Sequence, residues 1–135
     1  MVLTEDYNAA SPAFRREIAA MLRRIWPDCG GEDEVHDARF RAQSFYCRMD
    51  GVLAGYAAVL RQDIVHEGVP FRLAGLSCVA TAPEFRRRGL ASVLESWVIG
   101  QQLKRGQVPY GHVIEGNDAS TALQESLGLT KAELP

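Results

Sequence analysis

The sequence predicts an α/β domain of the α+β kind, a mixed and mostly antiparallel sheet with helices on both faces. Three observations predict it. Asp50-Gly51 joins two β-patterned runs, 44–49 and 52–62, through the residue pair that a tight hairpin favours. The second run continues through Ile64 and Val65 to a further turn, His66-Glu67-Gly68, and then to a long apolar run at 69–81. Three strands therefore follow one another as a meander. After Pro83 the pattern changes to helix, strand, helix, which makes a βαβ crossover expected to be right-handed.

The elements can be justified in order. Residues 1–3 suit an edge strand. Ser11-Pro12 reads as an N-cap followed by proline at the first helical position. Phe14, Ile18, Met21, Leu22, Ile25 and Trp26 follow at helical spacing, and Pro27 stops the helix. Residues 28–37 carry Gly30-Gly31, then Glu32, Asp33, Glu34 and Asp37. This is a solvated acidic loop leading towards a short helix at 35–41, or else an acidic lip that attracts a cationic substrate. Gly89 opens a helix with Leu90, Val93, Leu94, Trp97 and Val98 on one face, and Gly106 ends it. A strand at 108–115 follows. Gly116-Asn117-Asp118 caps a last helix, with Leu123 and Leu127 inward and Gly128 at its end.

Composition narrows the function classes. The 135 residues suit one domain, 1–135, with 47% apolar and 24% charged residues. A formal net charge of −2 argues against a nucleic-acid binder held by phosphate neutralisation. The longest clean apolar stretch, 52–60, is too short to span a bilayer. No basic start precedes an apolar run at the N-terminus, so the expected compartment is the cytoplasm, with no membrane partner. Cys29, Cys47 and Cys78 form no CxxC pair and no cluster with histidine, so neither a metal site nor a disulfide framework is expected. Cys47 and Cys78 read as small core residues. His36 and His66 read as surface loop residues.

The chemistry concentrates in Val79-Ala80-Thr81-Ala82-Pro83-Glu84-Phe85-Arg86-Arg87-Arg88-Gly89-Leu90-Ala91, between a strand and a helix. A turn there aims backbone N–H groups and the positive end of the helix dipole at one spot. Gly89 and Ala91 let a phosphate approach the main chain, and Arg86, Arg87 and Arg88 add positive charge. The combination suits a diphosphate. It is neither a Walker loop nor GxGxxG.

Arg86-Arg87-Arg88-Gly89-Leu90-Ala91 resembles the R/Q-x-x-G-x-G/A signature of the GNAT superfamily of acyl-CoA-dependent N-acyltransferases. Asn117-Asp118-Ala119-Ser120, Leu123 and Leu127-Gly128-Leu129 resemble the family's N-x-x-S-x-x-L-x-x-x-L-G-F ending. The meander also looks somewhat like that of aminoglycoside and nodulation-type acyltransferases. The resemblance implies a cofactor, acetyl-CoA, whose pyrophosphate lies against the backbone of Arg86 to Ala91. It implies that the main chain of Val79, Ala80 and Thr81 pairs with the pantetheine arm, and that Asn117 and Ser120 sit beside the cofactor at the start of the last helix. The two parallel strands should splay to admit it.

Two positions depart from the family pattern. Gln124 stands where many members carry a tyrosine acid, and Gly75 where many carry a glutamate base. The substitutes that the sequence offers are His112, Glu115, Ser77 acting through a water, and Tyr110; an unperturbed histidine pKa of about 6.5 suits proton transfer. The resemblance also implies one or two further strands, of which 129–135 supply one short strand at most. That suggests a minimal member, or a homodimer through the sheet edge. The expected activity is acetyl transfer to the amine of a small molecule or a protein. The alternative is a non-catalytic acyl-CoA-binding domain.

Overall fold

The computed structural model describes residues 1–31, 33–111 and 116–131. Its elements are β1 (Leu3–Asp6), α1 (Pro12–Arg23), β2 (Ala42–Met49), β3 (Val52–His66), β4 (Val69–Thr81), α2 (Leu90–Lys104), β5 (Val108–Gly111) and α3 (Asp118–Ser126). The sheet order is β1-β2-β3-β4-β5. All neighbours are antiparallel except β4 and β5, which the α2 crossover makes parallel.

Turn chemistry sets the register. Asp50 and Gly51 have φ of 51° and 77°, as do Glu67 and Gly68 with 50° and 77°. Positive φ at both central residues gives the turn whose twist matches paired strands. The edge strand lies at Leu3–Asp6, not at 1–3, because Leu3 to Asp6 is the stretch that finds partners, Tyr46 to Gln43.

Strand alternation sends β3 into two cores. Tyr56 and Ala58 face α1, together with Phe14, Ile18, Met21 and Leu22. Ala57 and Val59 face α2, together with Phe45, Ala74, Leu76, Leu94 and Val98. Fully burying a side chain such as Ile18 or Leu22 contributes roughly 1.5–3 kcal/mol. Ser11 caps α1 by accepting from the Phe14 N–H at 3.1 Å. The helix ends at Arg23, one turn before Pro27.

Three expectations need correction. The buried face of α2 is Leu94, Glu95, Val98, Ile99 and Gln102, whereas Val93 is 62% exposed. Apolar residues occur around the whole circumference of this helix, so spacing alone could not select the face. No helix forms at 35–41, where the chain runs in turns and bends. His36 is not a surface residue. It is 6% exposed, hydrogen-bonded to the Tyr56 hydroxyl at 3.0 Å and packed edge-on to Tyr7 at 4.7 Å. The Tyr7 hydroxyl in turn accepts from the Val35 N–H at 2.9 Å. These contacts pin the loop to the sheet. Glu32 of the acidic segment, the 112–115 part of the expected strand, and 132–135 lie outside the described residues.

Burial lowers the His36 pKa from 6.5 to about 4. The unfolded chain therefore takes up its proton first as pH falls. Stability from this group is complete above about pH 6.5 and is lost towards pH 4, by at most about 3 kcal/mol. We expect His36→Gln to flatten the fall in melting temperature between pH 7 and pH 4. Parallel wild-type and variant melting curves would contradict the assignment.

Candidate active site

β4 carries one residue more than β3 can match. Its register with β3 shifts between Tyr56↔Ala80 and Ala58↔Ser77, so Cys78 and Val79 together oppose Ala57. Cys78 adopts φ of 52° to accommodate the extra residue, a conformation costly for a side chain other than glycine. On its other edge β4 pairs with β5 only from Leu73↔Val108 to Leu76↔Gly111. From Ser77 to Thr81 that edge has no ladder among the described residues.

A cleft of about 910 Å³ opens at this place. One wall is the β4 stretch from Gly75 to Thr81. The second is the loop after it and the first turn of α2. The third is α3 with Asn117, Ser120, Leu123 and Gln124, and Trp26 and Phe40 also line the cleft. The volume falls in the range of small-molecule sites, about 300–1,000 Å³.

The loop presents backbone. Arg87 and Gly89 have φ of 65° and 73° and alternate with residues whose φ is negative, the kind of alternation from which anion-binding nests are built. Gly89 is the N-cap of α2 and offers no side-chain bond, so no side chain caps the first-turn N–H groups. A Cβ at Gly89 would meet nothing within 4 Å, so the approach to the loop is open. Asn117 caps α3, its Oδ1 accepting from the Ser120 N–H at 3.2 Å. The exposed Arg24–Glu84 pair, 2.7 Å apart, ties the end of α1 to the segment before the loop.

The expected cofactor residues Val79, Ala80, Thr81, Arg86, Arg87, Gly89, Leu90, Ala91, Asn117 and Ser120 all line this one cleft. Arg88 does not; its guanidinium lies over the Phe85 ring, 5.5 Å from the centroid. Ser77 lines the cleft, and its hydroxyl donates to Cys78 Sγ at 3.5 Å. His112 and Glu115 lie outside the described residues. At Gly75 a Cβ would stand 2.8 Å from the Tyr110 ring. Tyr110 thus fills the space that a carboxylate on β4 would need, and its hydroxyl donates towards Gln62 Oε1 at 3.4 Å. Gln124 packs on the Gly111 backbone, with Nε2 3.0 Å from the place a Cβ would take.

Sequence reasoning missed Glu95. It is 2% exposed, lines the cleft from α2, and its Oε2 has no hydrogen-bond partner. Burial pushes its carboxyl pKa up. The signal was available in the spacing, since Glu95 lies one turn before Val98 and Ile99. Cys78 also lines the cleft, but burial raises its thiol pKa, which suits packing rather than nucleophilic attack.

The sequence pattern that defines the FR47-like proteins matches residues 55–134. The chain belongs to this family. It thereby joins the GNAT superfamily that its loop and C-terminal motifs resemble. A protein from Novosphingobium aromaticivorans, named as an acetyltransferase of the GNAT family, is 30% identical with a TM-score of 0.69, over 94% of this chain and 50% of that one. This chain therefore spans half the length of that relative. A ribosomal-protein-alanine N-acetyltransferase from Brucella melitensis has a TM-score of 0.73 at 16% identity, over 100% of this chain and 95% of that one. An aminoglycoside acetyltransferase from an uncultured soil sample has a TM-score of 0.73 at 10% identity, over 100% and 91%. At those identities the likeness is one of fold. No curated protein matches the chain.

The buried Glu95 generates a test. Its raised pKa means that the folded state holds the proton more tightly, so stability falls as pH rises beyond the ordinary glutamate range. Glu95→Gln should stabilise the fold by about 1 kcal/mol at pH 8. The gain should vanish near pH 4, as read by denaturant midpoints. A destabilised variant at pH 8 would contradict the unpartnered carboxylate.

Proposed function

We propose that this family member is an N-acetyltransferase that uses acetyl-CoA to acetylate the amine of a small molecule or a protein. The observation that carries the reading is the edge of β4 from Ser77 to Thr81, which has no ladder among the described residues, set beside the start of α2, whose N-cap offers no side-chain bond. An extended, polar arm ending in a diphosphate needs both. The residues fit: a strand edge for the arm, and a nest and helix dipole for the diphosphate, with Arg86 and Arg87 beside it.

Bound acetyl-CoA supplies an acyl carbon held as a thioester. The chain must then do three things. It must present a fixed donor to the carbonyl oxygen as charge builds there, and the main chain of Cys78 and Val79 lies at the bulge, where the register with β3 is interrupted. It must accept the attacking amine without its proton, since an alkylammonium has a pKa of about 10.4. It must let a proton reach the departing sulfur, as the C–N bond forms and the C–S bond breaks. Ser77, Tyr110 and the buried carboxyl of Glu95 line the cleft for that traffic, and His112 and Glu115 remain proposed on sequence grounds. A cationic acceptor is proposed on the acidic composition of the 28–37 stretch alone, since Asp33, Glu34 and Asp37 do not line the cleft and Asp37 is paired with Arg39. A cytoplasmic location and pairing of β5 with a second copy belong to the same proposal; among the described residues no helix is long and apolar enough to cross a membrane.

Tyr110 over Gly75 supports a second reading, a domain that binds acyl-CoA without turning it over. Free-thiol release from acetyl-CoA with a panel of amines separates the two. Release with at least one amine is the expected result. Tight binding with no release from any amine selects the second reading. Gly89→Asp should weaken coenzyme A binding by at least 100-fold, because a carboxylate enters the nest at a position that also favours glycine. Undiminished affinity in calorimetry contradicts the placement.

A further inference from the structure

A second cleft lies at the opposite end of the sheet, on the α2 face. Strand alternation carries Ala57 and Val59, then Arg61 and Asp63, along one side of β3. Arg72 of β4 is the register partner of Asp63. Arg105 caps the C-terminal end of α2, Gln107 follows it, and Arg41 precedes β2. These six residues line a cleft of about 430 Å³. It shares no lining residue with the first cleft. Arg72 precedes Thr81 by nine residues of β4, roughly 30 Å of strand.

The charge in this cleft is unbalanced. Four guanidiniums face one carboxylate, and none of the four arginines belongs to an ion pair among the described residues. Arg61 is the sharpest case. Its Nε and Nη2 are shielded from solvent and have no hydrogen-bond partner. Gln107, 8% exposed, has an unpartnered Oε1, and the fully buried Gln102 on the last turns of α2 leaves both side-chain polar atoms unpartnered. Burial and the like charges of Arg105, Arg72 and Arg41 press the Arg61 pKa down, and Asp6 offsets this only in part. A guanidinium stays charged in a protein, so the cost is met by a counter-anion rather than by losing the proton.

We propose that this cleft is a binding site for a small polyanion bearing phosphoryl groups. Asp63 is already present and leaves Arg61 unpartnered, so a single carboxylate does not satisfy the cluster. A phosphoryl group offers three acceptor oxygens, and guanidiniums bind such groups through paired N–H donors. The cleft is large enough for a diphosphate or a phosphorylated metabolite and too small for a folded partner. The proposal does not rest on acyl-CoA binding in the first cleft.

Inorganic pyrophosphate is the probe, titrated calorimetrically into the whole chain at constant ionic strength, with and without saturating coenzyme A. With coenzyme A saturating the first cleft one pyrophosphate should still bind, and one should also bind to Gly89→Asp without coenzyme A. Arg72→Gln and Arg105→Gln, both at exposed positions, should each weaken it at least tenfold. Arg61→Met should raise the melting temperature without pyrophosphate and abolish the further rise that pyrophosphate gives the wild type. Loss of binding under saturating coenzyme A, with no effect of Arg72→Gln, places the anion in the first cleft and overturns the proposal. Absence of binding overturns it too. Succinate binding as tightly as pyrophosphate overturns the phosphoryl class. An oligonucleotide that binds tighter through the same arginines overturns the small ligand.

Discussion

The cleft exists because β4 leaves its ladder at Cys78 and returns to it at Ala80, a detour of one residue held from both ends. Before it, Ser77 pairs with Ala58; after it, Ala80 and Thr81 pair with Tyr56 and Gly55. The Ala82 N–H then donates to the Ala54 carbonyl at 2.8 Å, which locks the exit. A positive φ at a cysteine costs of order 1–3 kcal/mol, and it persists only where the surroundings over-determine it. Here the two cores supply that constraint, α1 packing one face of the bulged strand and α2 the other. The direction of α2, and with it the position of its positive end, follows from where β4 stops.

That arrangement sets stability against polarity. α2 buries Leu94, Val98 and Ile99, yet its buried stripe also includes Glu95 and Gln102, both with unpartnered atoms. Such groups weaken a fold relative to apolar replacements of the same shape. Glu95 faces the first cleft and Gln102 lies near the second. The destabilising positions of this helix are therefore interleaved with Leu94, Val98 and Ile99 along one buried stripe.

Much of this was legible in the residues. Asp50-Gly51 and Glu67-Gly68 fixed the meander to the residue, because both pairs must reach positive φ. Ser11-Pro12, Gly89 and Asn117 marked three helix starts through the chemistry of their caps. The loop from Arg86 to Ala91 and the Asn117 cap were found from motif spacing, and the fold brings nearly all of them to one cleft. What stayed hidden was non-local. Nothing in Ser77-Cys78-Val79 signals a bulge, since these residues suit an unbroken strand equally well. His36 looked like a loop residue because the hydroxyl that receives it, on Tyr56, is twenty positions away. The arginine cleft was invisible for the same reason. Arg41, Arg61, Arg72 and Arg105 are spread over sixty-five positions and meet only after the sheet has formed.

The seating of Tyr110 on Gly75 has an evolutionary corollary. The two positions sit side by side on β4 and β5, and one cubic pocket of space serves both. A carboxylate at 75 and an aromatic ring at 110 exclude each other. A lineage moving between the two arrangements cannot do so one substitution at a time without passing through an overpacked or a hollow intermediate. Positions 75 and 110 should therefore be inherited as a unit, and a mutational path to or from a β4 carboxylate runs through residue 110 first.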